Sequence, residues 1–263
     1  MTAILHITDT HIVREGALVS GRLDSADALE RLVAWINSIR AQIGPVDAVL
    51  VSGDLSDDGS VESYARFKRL VAPLDLPIHV IPGNHDARAP MRHAFASHLP
   101  ADGPLNWEQR IGGIRLIGLD TLVEGQGAGT LSAESLTFLE SALSASDATP
   151  VLLALHHPPF ACGIRFMDDI GLTNAADFRD LVACFDGPMR IVCGHIHMMM
   201  VTDVAGHIAI SAPSPCSTFA YDRRPDAPVG FLDQRDGCLL HRWDGAFQSI
   251  RLNPVAGAGP FPF

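Results

Sequence analysis

Five short polar segments of this sequence carry side chains that bind metal ions. Each follows an apolar segment: Asp9-Thr10-His11, Gly53-Asp54, Gly83-Asn84-His85-Asp86, His156-His157-Pro158-Pro159 and Gly194-His195-Ile196-His197. Carboxylates, an amide and imidazoles without thiolates suit Mn, Fe, Co or Zn, whereas sites made only of oxygen suit Mg or Ca. Seven candidate ligands exceed the needs of one ion and fit two: Asp9, His11, Asp54, Asn84, His156, His195 and His197.

Two metal ions bridged by one carboxylate predict a hydrolytic reaction. Such ions lie about 3.5–4 Å apart and share a hydroxide whose pKa is lowered towards neutrality, which makes it a nucleophile. Each motif has a structural alternative, since Gly53-Asp54 is also typical of an ordinary turn and Asn84 of an Asx-turn. Five polar segments in order, each after an apolar run, favour a common metal site over five unrelated turns.

The segments between these polar tips indicate which elements position them. Leu32, Val33, Ile36 and Ile39 fall at helical spacing, which predicts an amphipathic helix. Short aliphatic strands and further helices alternate with the tips, and this order predicts parallel strand pairing with right-handed crossovers. The later part of the chain is β-rich. We therefore expect an α/β fold in which the carboxyl ends of the strands share one rim.

The domain organisation follows from the absence of an obvious linker or repeat. We interpret residues 1–256 as a single domain and residues 257–263 as a loosely held tail. Residues 160–172 are apolar but aperiodic, and residues 219–228 are polar and rich in turn residues. Both segments are candidate lids over the site.

Composition excludes several classes of partner. The formal net charge is −11 without a cluster of Lys or Arg, which disfavours a nucleic acid polymer or an anionic membrane surface. Five widely spaced cysteines indicate reduced core thiols rather than disulfides or a thiolate metal site. Residues 1–7 lack the basic and long apolar regions of a signal peptide, and no stretch approaches the roughly 20 apolar residues of a membrane span. A cytoplasmic location is predicted.

The order of the five motifs resembles that of the calcineurin-like metallophosphoesterases. Gly53-Asp54-Leu55 and the run from Leu155 to Pro159 are similar to the subgroup of bacterial cyclic nucleotide and glycerophosphodiester phosphodiesterases, the class III phosphodiesterases. The resemblance covers residues 4–217. It implies a metallophosphoesterase fold, which is a four-layer α-β-β-α sandwich of two mixed sheets, with the site where the strand ends of the two sheets meet.

The resemblance also implies a role for each site residue. One metal ion would be held by Asp9, His11 and His197, and the other by Asn84, His156 and His195. Asp54 would bridge the two ions. His85 and Asp86 are the candidate catalytic residues, with Asp86 fixing the tautomer of a His85 that stabilises phosphoryl charge or protonates the leaving alkoxide. Asn84, His85 and His157 are the candidate substrate contacts, and for His157 a supporting position behind the metal ligands is the open alternative to substrate contact.

The predicted function is hydrolysis of a small phosphodiester by attack of a metal-bridging hydroxide. Cyclic nucleotides and glycerophosphodiesters are the substrates that the resemblance implies, with two divalent or mixed-valence transition metal ions as cofactors. The alternatives are a phosphomonoesterase with the same metal core and a non-catalytic interaction module on this fold. The resemblance further implies a homo-oligomer, a dimer or larger, formed through the β-rich C-terminal part.

Overall fold

The computed structural model describes residues 1–144 and 148–254, so the predicted domain end at 256 and the tail 257–263 lie outside the described residues. Its strands and helices are, in chain order, β1 (Thr2–Ile7), α1 (Ser25–Ile43), β2 (Ala48–Ser52), α2 (Val61–Val71), β3 (Ile78–Ile81), α3 (Arg88–Ala94), β4 (Trp107–Ile111), β5 (Ile114–Gly118), α4 (Ala133–Ser144), β6 (Val151–Ala154), α5 (Arg165–Asp168), α6 (Ala175–Val182), β7 (Met189–Cys193), β8 (Met200–Val204), β9 (His207–Ser211), β10 (Cys238–Trp243) and β11 (Phe247–Leu252). Within the described ranges, no helix is long and apolar enough to cross a membrane.

Two mixed sheets form the centre of the fold. The first has the strand order β11-β10-β1-β2-β3 and the second β4-β5-β6-β7-β9-β8. In the first sheet β1, β2 and β3 are parallel, and in the second β5, β6, β7 and β9 are parallel. Antiparallel hairpins complete the edges of both sheets. This topology confirms the predicted parallel strand pairing and the predicted β-rich later part of the chain.

Burial on both faces of the strands explains the layered architecture. In β6, Leu152 and Ala154 belong to a core shared with the first sheet and α1, whereas Val151 and Leu153 pack in a second core with α4 and α6. Alternate residues of a strand point to opposite faces, and the central strands β5, β6 and β7 each supply both cores. The chain therefore forms helix, sheet, sheet and helix layers, as predicted.

Side-chain caps mark the beginnings of α2 and α4. The hydroxyl of Ser60 accepts a hydrogen bond from the amide of Ser63 at 3.2 Å, and α2 begins at Val61. The hydroxyl of Ser132 accepts from the amide of Ser135 at 3.1 Å and caps α4. Such caps satisfy amides that have no partner within the helix.

The first lid candidate, residues 160–172, is more ordered than its aperiodic sequence indicates. It contains the short helix α5, and the carboxylate of Asp168 accepts hydrogen bonds from the amides of Cys162 and Gly163. These bonds close the segment on itself. The second lid candidate, residues 219–228, contains neither a helix nor a strand.

Candidate metal centre

The five predicted tips converge where β1, β2, β3, β6 and β7 end. Parallel strands place their carboxyl ends at one edge of a sheet, and the packing of two such sheets brings the two edges together. Among the described residues, three groups consist of buried side chains only, each with its ligand atoms within 4.8 Å of one another: Asp9, His11 and His197; Asp9, Asp54 and His156; and His156, His157 and His195. Asp9, Asp54 and all of these histidines are buried.

The first half of the centre, formed by Asp9, His11 and His197, contains acceptor atoms that face one another. Nδ1 of His11 lies 3.0 Å from a carboxylate oxygen of Asp57, which can only accept, so Nδ1 carries the proton of the neutral ring. The lone pair on Nε2 of His11 then points at Nε2 of His197, 3.1 Å away. That second nitrogen lies 3.4 Å from Asp9 Oδ1. A cation between these atoms satisfies all three.

The second half, formed by Asn84, His156 and His195, repeats this pattern, with the neutral amide oxygen of Asn84 in place of a carboxylate. Nδ1 of His156 lies 2.8 Å from the carbonyl oxygen of Ser52, so it donates and leaves Nε2 unprotonated in the neutral ring. That Nε2 lies 3.2 Å from Asn84 Oδ1, and the same amide oxygen lies 3.0 Å from Nδ1 of His195. The residues present therefore fit a metal ion here as well.

Asp54 lies between the two halves. Its Oδ2 is 3.7 Å from Nε2 of His11 and 3.4 Å from Nε2 of His156. Its Oδ1 accepts a hydrogen bond from the amide of His85 at 2.8 Å, which fixes the orientation of the carboxylate. One oxygen within reach of ligand nitrogens from both halves supports a bridging position.

Backbone conformation is unusual at these tips. Nine residues other than glycine have positive φ in the part of the chain that the structure describes. Five of the nine are candidate ligands: Asp9, His11, Asp54, His195 and His197. This conformation costs free energy for residues with a Cβ, and it concentrates at functional sites.

Two glycines permit the close approach of the tips. A Cβ on Gly83 would lie 2.2 Å from Oδ1 of Asp54, and a Cβ on Gly194 would lie 2.1 Å from the hydroxyl oxygen of Thr8. Neither contact is sterically possible. These positions support the interpretation that both glycines serve the backbone and do not touch substrate.

The electrostatics of the buried centre attract positive charge. Burial lowers the pKa of His156, but the carboxylates of Asp54 and Asp9 outweigh it and raise that pKa to about 9. Burial raises the pKa of Asp54, yet the surrounding histidines hold it well below its usual range. A proton or a metal ion can occupy Nε2 of His156, and the same carboxylates favour either one.

His85 is the most accessible polar side chain of the tip that follows β3, with 40% of its side chain exposed. Its Nδ1 lies 3.3 Å from Asp57 Oδ1, and its ring packs edge-on against that of His11 at 4.7 Å. Burial lowers the pKa of His85, but the carboxylates of Asp57 and Asp54 raise it to about 10. These carboxylates therefore favour the protonated form of the ring.

The structure corrects the predicted role of Asp86. Its two carboxylate oxygens accept hydrogen bonds from the amides of Leu55, Ser56 and Gly83 and from the hydroxyl of Tyr64. The partner of the His85 ring is Asp57. Asp86 thus joins the loops after β2 and β3, and it does not set the tautomer of His85.

His157 lies behind the centre. Its Nδ1 is 2.8 Å from the hydroxyl of Thr121 and its Nε2 is 3.0 Å from the carbonyl oxygen of Gly127. Burial lowers its pKa to about 3, so the ring is neutral. Because protein groups engage both nitrogens, the structure favours a supporting role over the predicted substrate contact, and it favours His156 as the ligand.

Sequence reasoning missed Asp57, which contacts both His11 and His85. The available signal was a second carboxylate in the segment Gly53 to Gly59, three residues after Asp54. It also missed Ser217, whose hydroxyl lies 2.9 Å from Nδ1 of His197. No spacing rule connects Ser217 to that histidine, because the contact depends on the tertiary structure.

Comparisons with known proteins agree with this geometry. The family model described as calcineurin-like phosphoesterase matches residues 2–199. A relative from Arcobacter nitrofigilis named "Probable glycerophosphodiester phosphodiesterase GpdQ" is 32% identical over 265 residues, covering 99% of this chain and 96% of the relative. A 3′,5′-cyclic adenosine monophosphate phosphodiesterase, CpdA, from Pseudomonas aeruginosa is 34% identical over 220 residues, covering 82% of this chain and 77% of the relative.

A solved structure has the same fold. It is a dimetal phosphatase from Danio rerio with a TM-score of 0.67 at 16% identity, covering 95% of this chain and 98% of that one. The matches in sequence extend over the strands and tips that form the candidate metal centre. The chain belongs to the calcineurin-like phosphoesterase family.

Proposed function

We propose that the protein is a metal-dependent phosphodiesterase that hydrolyses a small phosphodiester. The observation that carries the proposal is the position of Asp54, whose Oδ2 lies within 3.7 Å of ligand nitrogens from both halves of the centre. A bridging carboxylate of this kind is the feature that converts two separate ion sites into one reactive pair. The names of the two relatives, a glycerophosphodiester and a cyclic nucleotide phosphodiesterase, support the diester as substrate.

The proposed metal ligands follow the two halves of the centre. Asp9, His11 and His197 would hold one ion, and Asn84, His156 and His195 would hold the other, with Asp54 between them. The mixed nitrogen and oxygen donors suit Mn, Fe, Co or Zn, as divalent ions or as a mixed-valence pair. When bound, two such ions would supply the charge that activates an attacking water and stabilises the phosphoryl oxygens.

The side chains around the centre position and protonate the substrate. The His85 ring lies at the edge of the cavity beside the centre, where in its protonated form it stabilises a phosphoryl oxygen or donates a proton to the leaving alkoxide. Asp57 holds that ring through Nδ1 and leaves Nε2 for the substrate. The Asn84 amide, which lines the same cavity, is the second proposed substrate contact.

A diester fits the site better than a monoester. A dianionic monoester places one more negative charge in the site and requires additional cationic side chains. Among the described residues that line the cavity beside the centre, none is Lys or Arg. The phosphomonoesterase alternative therefore has less support.

The decisive experiment compares diester and monoester turnover by protein of known metal content. We expect purified protein loaded with Mn²⁺ or Zn²⁺ to hydrolyse bis(p-nitrophenyl) phosphate faster than p-nitrophenyl phosphate. Chelation should abolish both activities and added metal should restore them. A protein that binds two ions but hydrolyses neither compound would instead be an interaction module, and preference for the monoester would favour the phosphomonoesterase.

We also propose a location and an assembly for the protein. The five cysteines are all free, which supports a reducing compartment such as the cytoplasm. Val201 on β8 and Ile208 on β9 are 58% and 45% exposed, and they offer an apolar surface for the proposed homo-oligomer. Light scattering during size-exclusion chromatography measures the mass in solution, and a monomer would contradict the assembly.

A further inference from the structure

A cavity of about 290 Å³ opens beside the metal centre. One side is formed by groups of the centre, including His11, His85 and His197, and the remaining sides come from three loops. Its volume is near the lower end of the roughly 300–1,000 Å³ range of ligand pockets, which suits a small molecule.

The first apolar wall is built on the segment 160–172. Phe166 and Phe219 pack edge-to-face with ring centroids 5.4 Å apart, on a small core that includes Met167. The Phe219 ring also lies 4.7 Å from the ring of His197, a candidate ligand, at an interplanar angle of 33°. This wall is therefore continuous with the metal centre.

The second apolar wall comes from the loop after β1 and from the segment that follows the second lid candidate. Phe231 packs against a separate cluster of Val13, Val19 and Leu23, and of these four residues all but Val13 line the cavity. Of residues 219–228, only Phe219 contributes to the lining. The wall thus begins beyond the predicted lid boundary.

The described residues that line the cavity include no Lys or Arg. Two arginines of the neighbouring loops make contacts outside the cavity: Arg165 donates to the carbonyl oxygen of Pro225 at 3.3 Å, and Arg224 pairs with Asp222. Apart from the residues of the metal centre and Asp57, the described polar groups of the lining are the side chains of Ser20, Cys216 and Ser217. The walls offer aromatic and aliphatic surface with few hydrogen-bond partners.

We propose that this cavity binds one of the two ester groups of the substrate and selects a flat, uncharged ring, such as an aryl group or a nucleobase. The inference rests on the proposed phosphodiesterase activity and narrows its substrate class. A flat ring buries its faces against Phe219 and Phe231 and requires few polar partners. The phosphoryl group of the same molecule then reaches the metal centre.

Two other ester groups fit this cavity less well. Glycerol would bring hydroxyl groups against apolar walls, where they lose their hydrogen bonds to water without replacement. A quaternary ammonium group such as choline binds aromatic rings, but here it would lie beside the two metal ions of the proposed centre. Electrostatic repulsion disfavours it.

The test compares two pairs of diesters, and the first pair differs only in the ester group that is not displaced. Bis(p-nitrophenyl) phosphate and methyl p-nitrophenyl phosphate share a leaving group, so their comparison isolates the second ester. Cyclic AMP and glycerophosphoethanolamine extend the comparison to a nucleobase and to a polar group. Phe231→Ala is the informative variant, because Phe231 packs on Val13, Val19 and Leu23 and not on a candidate ligand. Leu232→Ala is the matched control. Leu232 follows Phe231 in the chain, but its side chain is 47% exposed and does not line the cavity.

We expect Phe231→Ala to lower kcat/KM by about fivefold to tenfold for bis(p-nitrophenyl) phosphate relative to methyl p-nitrophenyl phosphate, and for cyclic AMP relative to glycerophosphoethanolamine, the size of one aromatic contact. Leu232→Ala should leave all four values within about twofold, as for a surface substitution. An equal loss on all four substrates, or a wild-type preference for glycerophosphoethanolamine over cyclic AMP, would overturn the inference.

Binding separates this inference from the proposed activity. Calorimetric titration of the metal-loaded protein with diphenyl phosphate and dimethyl phosphate measures recognition of the ring without turnover. Tighter binding of diphenyl phosphate, weakened by Phe231→Ala, would support the ring subsite even in a protein that hydrolyses no diester. Equal binding of the two compounds would reject the subsite while leaving the phosphodiesterase proposal intact.

Discussion

The two halves of the metal centre use different chemistry to hold an ion. The first half combines the carboxylate of Asp9 with two imidazoles, and the ring of His11 is held by a further carboxylate, that of Asp57. The second half has the amide oxygen of Asn84 in place of the terminal carboxylate, and its histidine ring at position 156 is held by a backbone carbonyl. The first half therefore carries more negative charge.

This difference predicts unequal affinities for the two ions. A carboxylate is a stronger ligand for a cation than a neutral amide, and a carboxylate bonded to a ligand histidine increases the basicity of its ring. We therefore expect the ion at the second half to dissociate first. Asp54 is the group that both halves share, so its loss should weaken the binding of both ions.

Replacing Asp54 by Ala should have the largest effect of the substitutions considered. Both ions lose a ligand and the unneutralised positive charges face each other, so activity should fall by at least about 10³-fold, with metal content well below two ions per chain. Metal analysis after gel filtration, together with diester turnover, measures both quantities. Asp54→Asn is the matched variant, because it keeps the shape and removes the charge. Retention of two tightly bound ions by Asp54→Ala would show that Asp54 does not bridge them.

Replacing Asn84 by Ala should separate the halves. We expect one ion to remain bound, while turnover falls by about 10–100-fold and recovers partly at high metal concentration, as for the loss of one weak ligand. Metal titration followed by activity gives the apparent affinity of the second ion.

His11→Ala is the counterpart of Asn84→Ala in the first half. It should weaken the binding of the more tightly held ion, which added metal restores less readily. If the two variants had the same metal dependence, the halves would be equivalent and the comparison would fail.

The five tips could be predicted from the sequence because each ligand directly follows a strand. The ends of parallel strands lie at one rim of their sheet, so Asp9 and Asp54 come together once the topology is known, and packing of the two sheets brings His195 to them. The alternation of apolar strands and helices predicts the parallel pairing, whereas the four-layer arrangement of two sheets is expected from the family resemblance.

The groups that support the ligands could not be predicted in this way. Asp57 reaches two histidines only because the loop after β2 turns back beneath them, and Ser217 approaches His197 from a loop 20 residues away. Asp86 was assigned to its sequence neighbour His85, yet its carboxylate is held by backbone amides from two loops. Adjacent residues in a turn point in different directions, so sequence proximity was misleading here.

Asp57→Asn should have the smallest effect of these substitutions and tests the link between the two histidines. The variant keeps a side chain of the same shape beside His11 and His85 but removes the negative charge. Because the Asp57 carboxylate contributes to the raised pKa of His85, its removal lowers that pKa and the ring loses its proton at lower pH. The alkaline limb of the kcat profile should therefore move to lower pH, with a decrease of about tenfold in kcat at neutral pH in protein saturated with metal and a weaker affinity for the ion at His11.

Asp58→Asn provides the control for this substitution. Asp58 is the next residue along the chain, but its carboxylate accepts from the hydroxyl of Ser63 at 2.7 Å and from the amide of Ser60 at 3.0 Å near the start of α2. Burial raises the pKa of Asp58, yet these hydrogen bonds lower it overall, so the charged form stabilises the fold. Asp58→Asn should lower the melting temperature and leave the alkaline limb in place. If both variants shifted that limb equally, the effect would arise from the general negative charge of the loop, and Asp57 would lose its specific role in positioning His85.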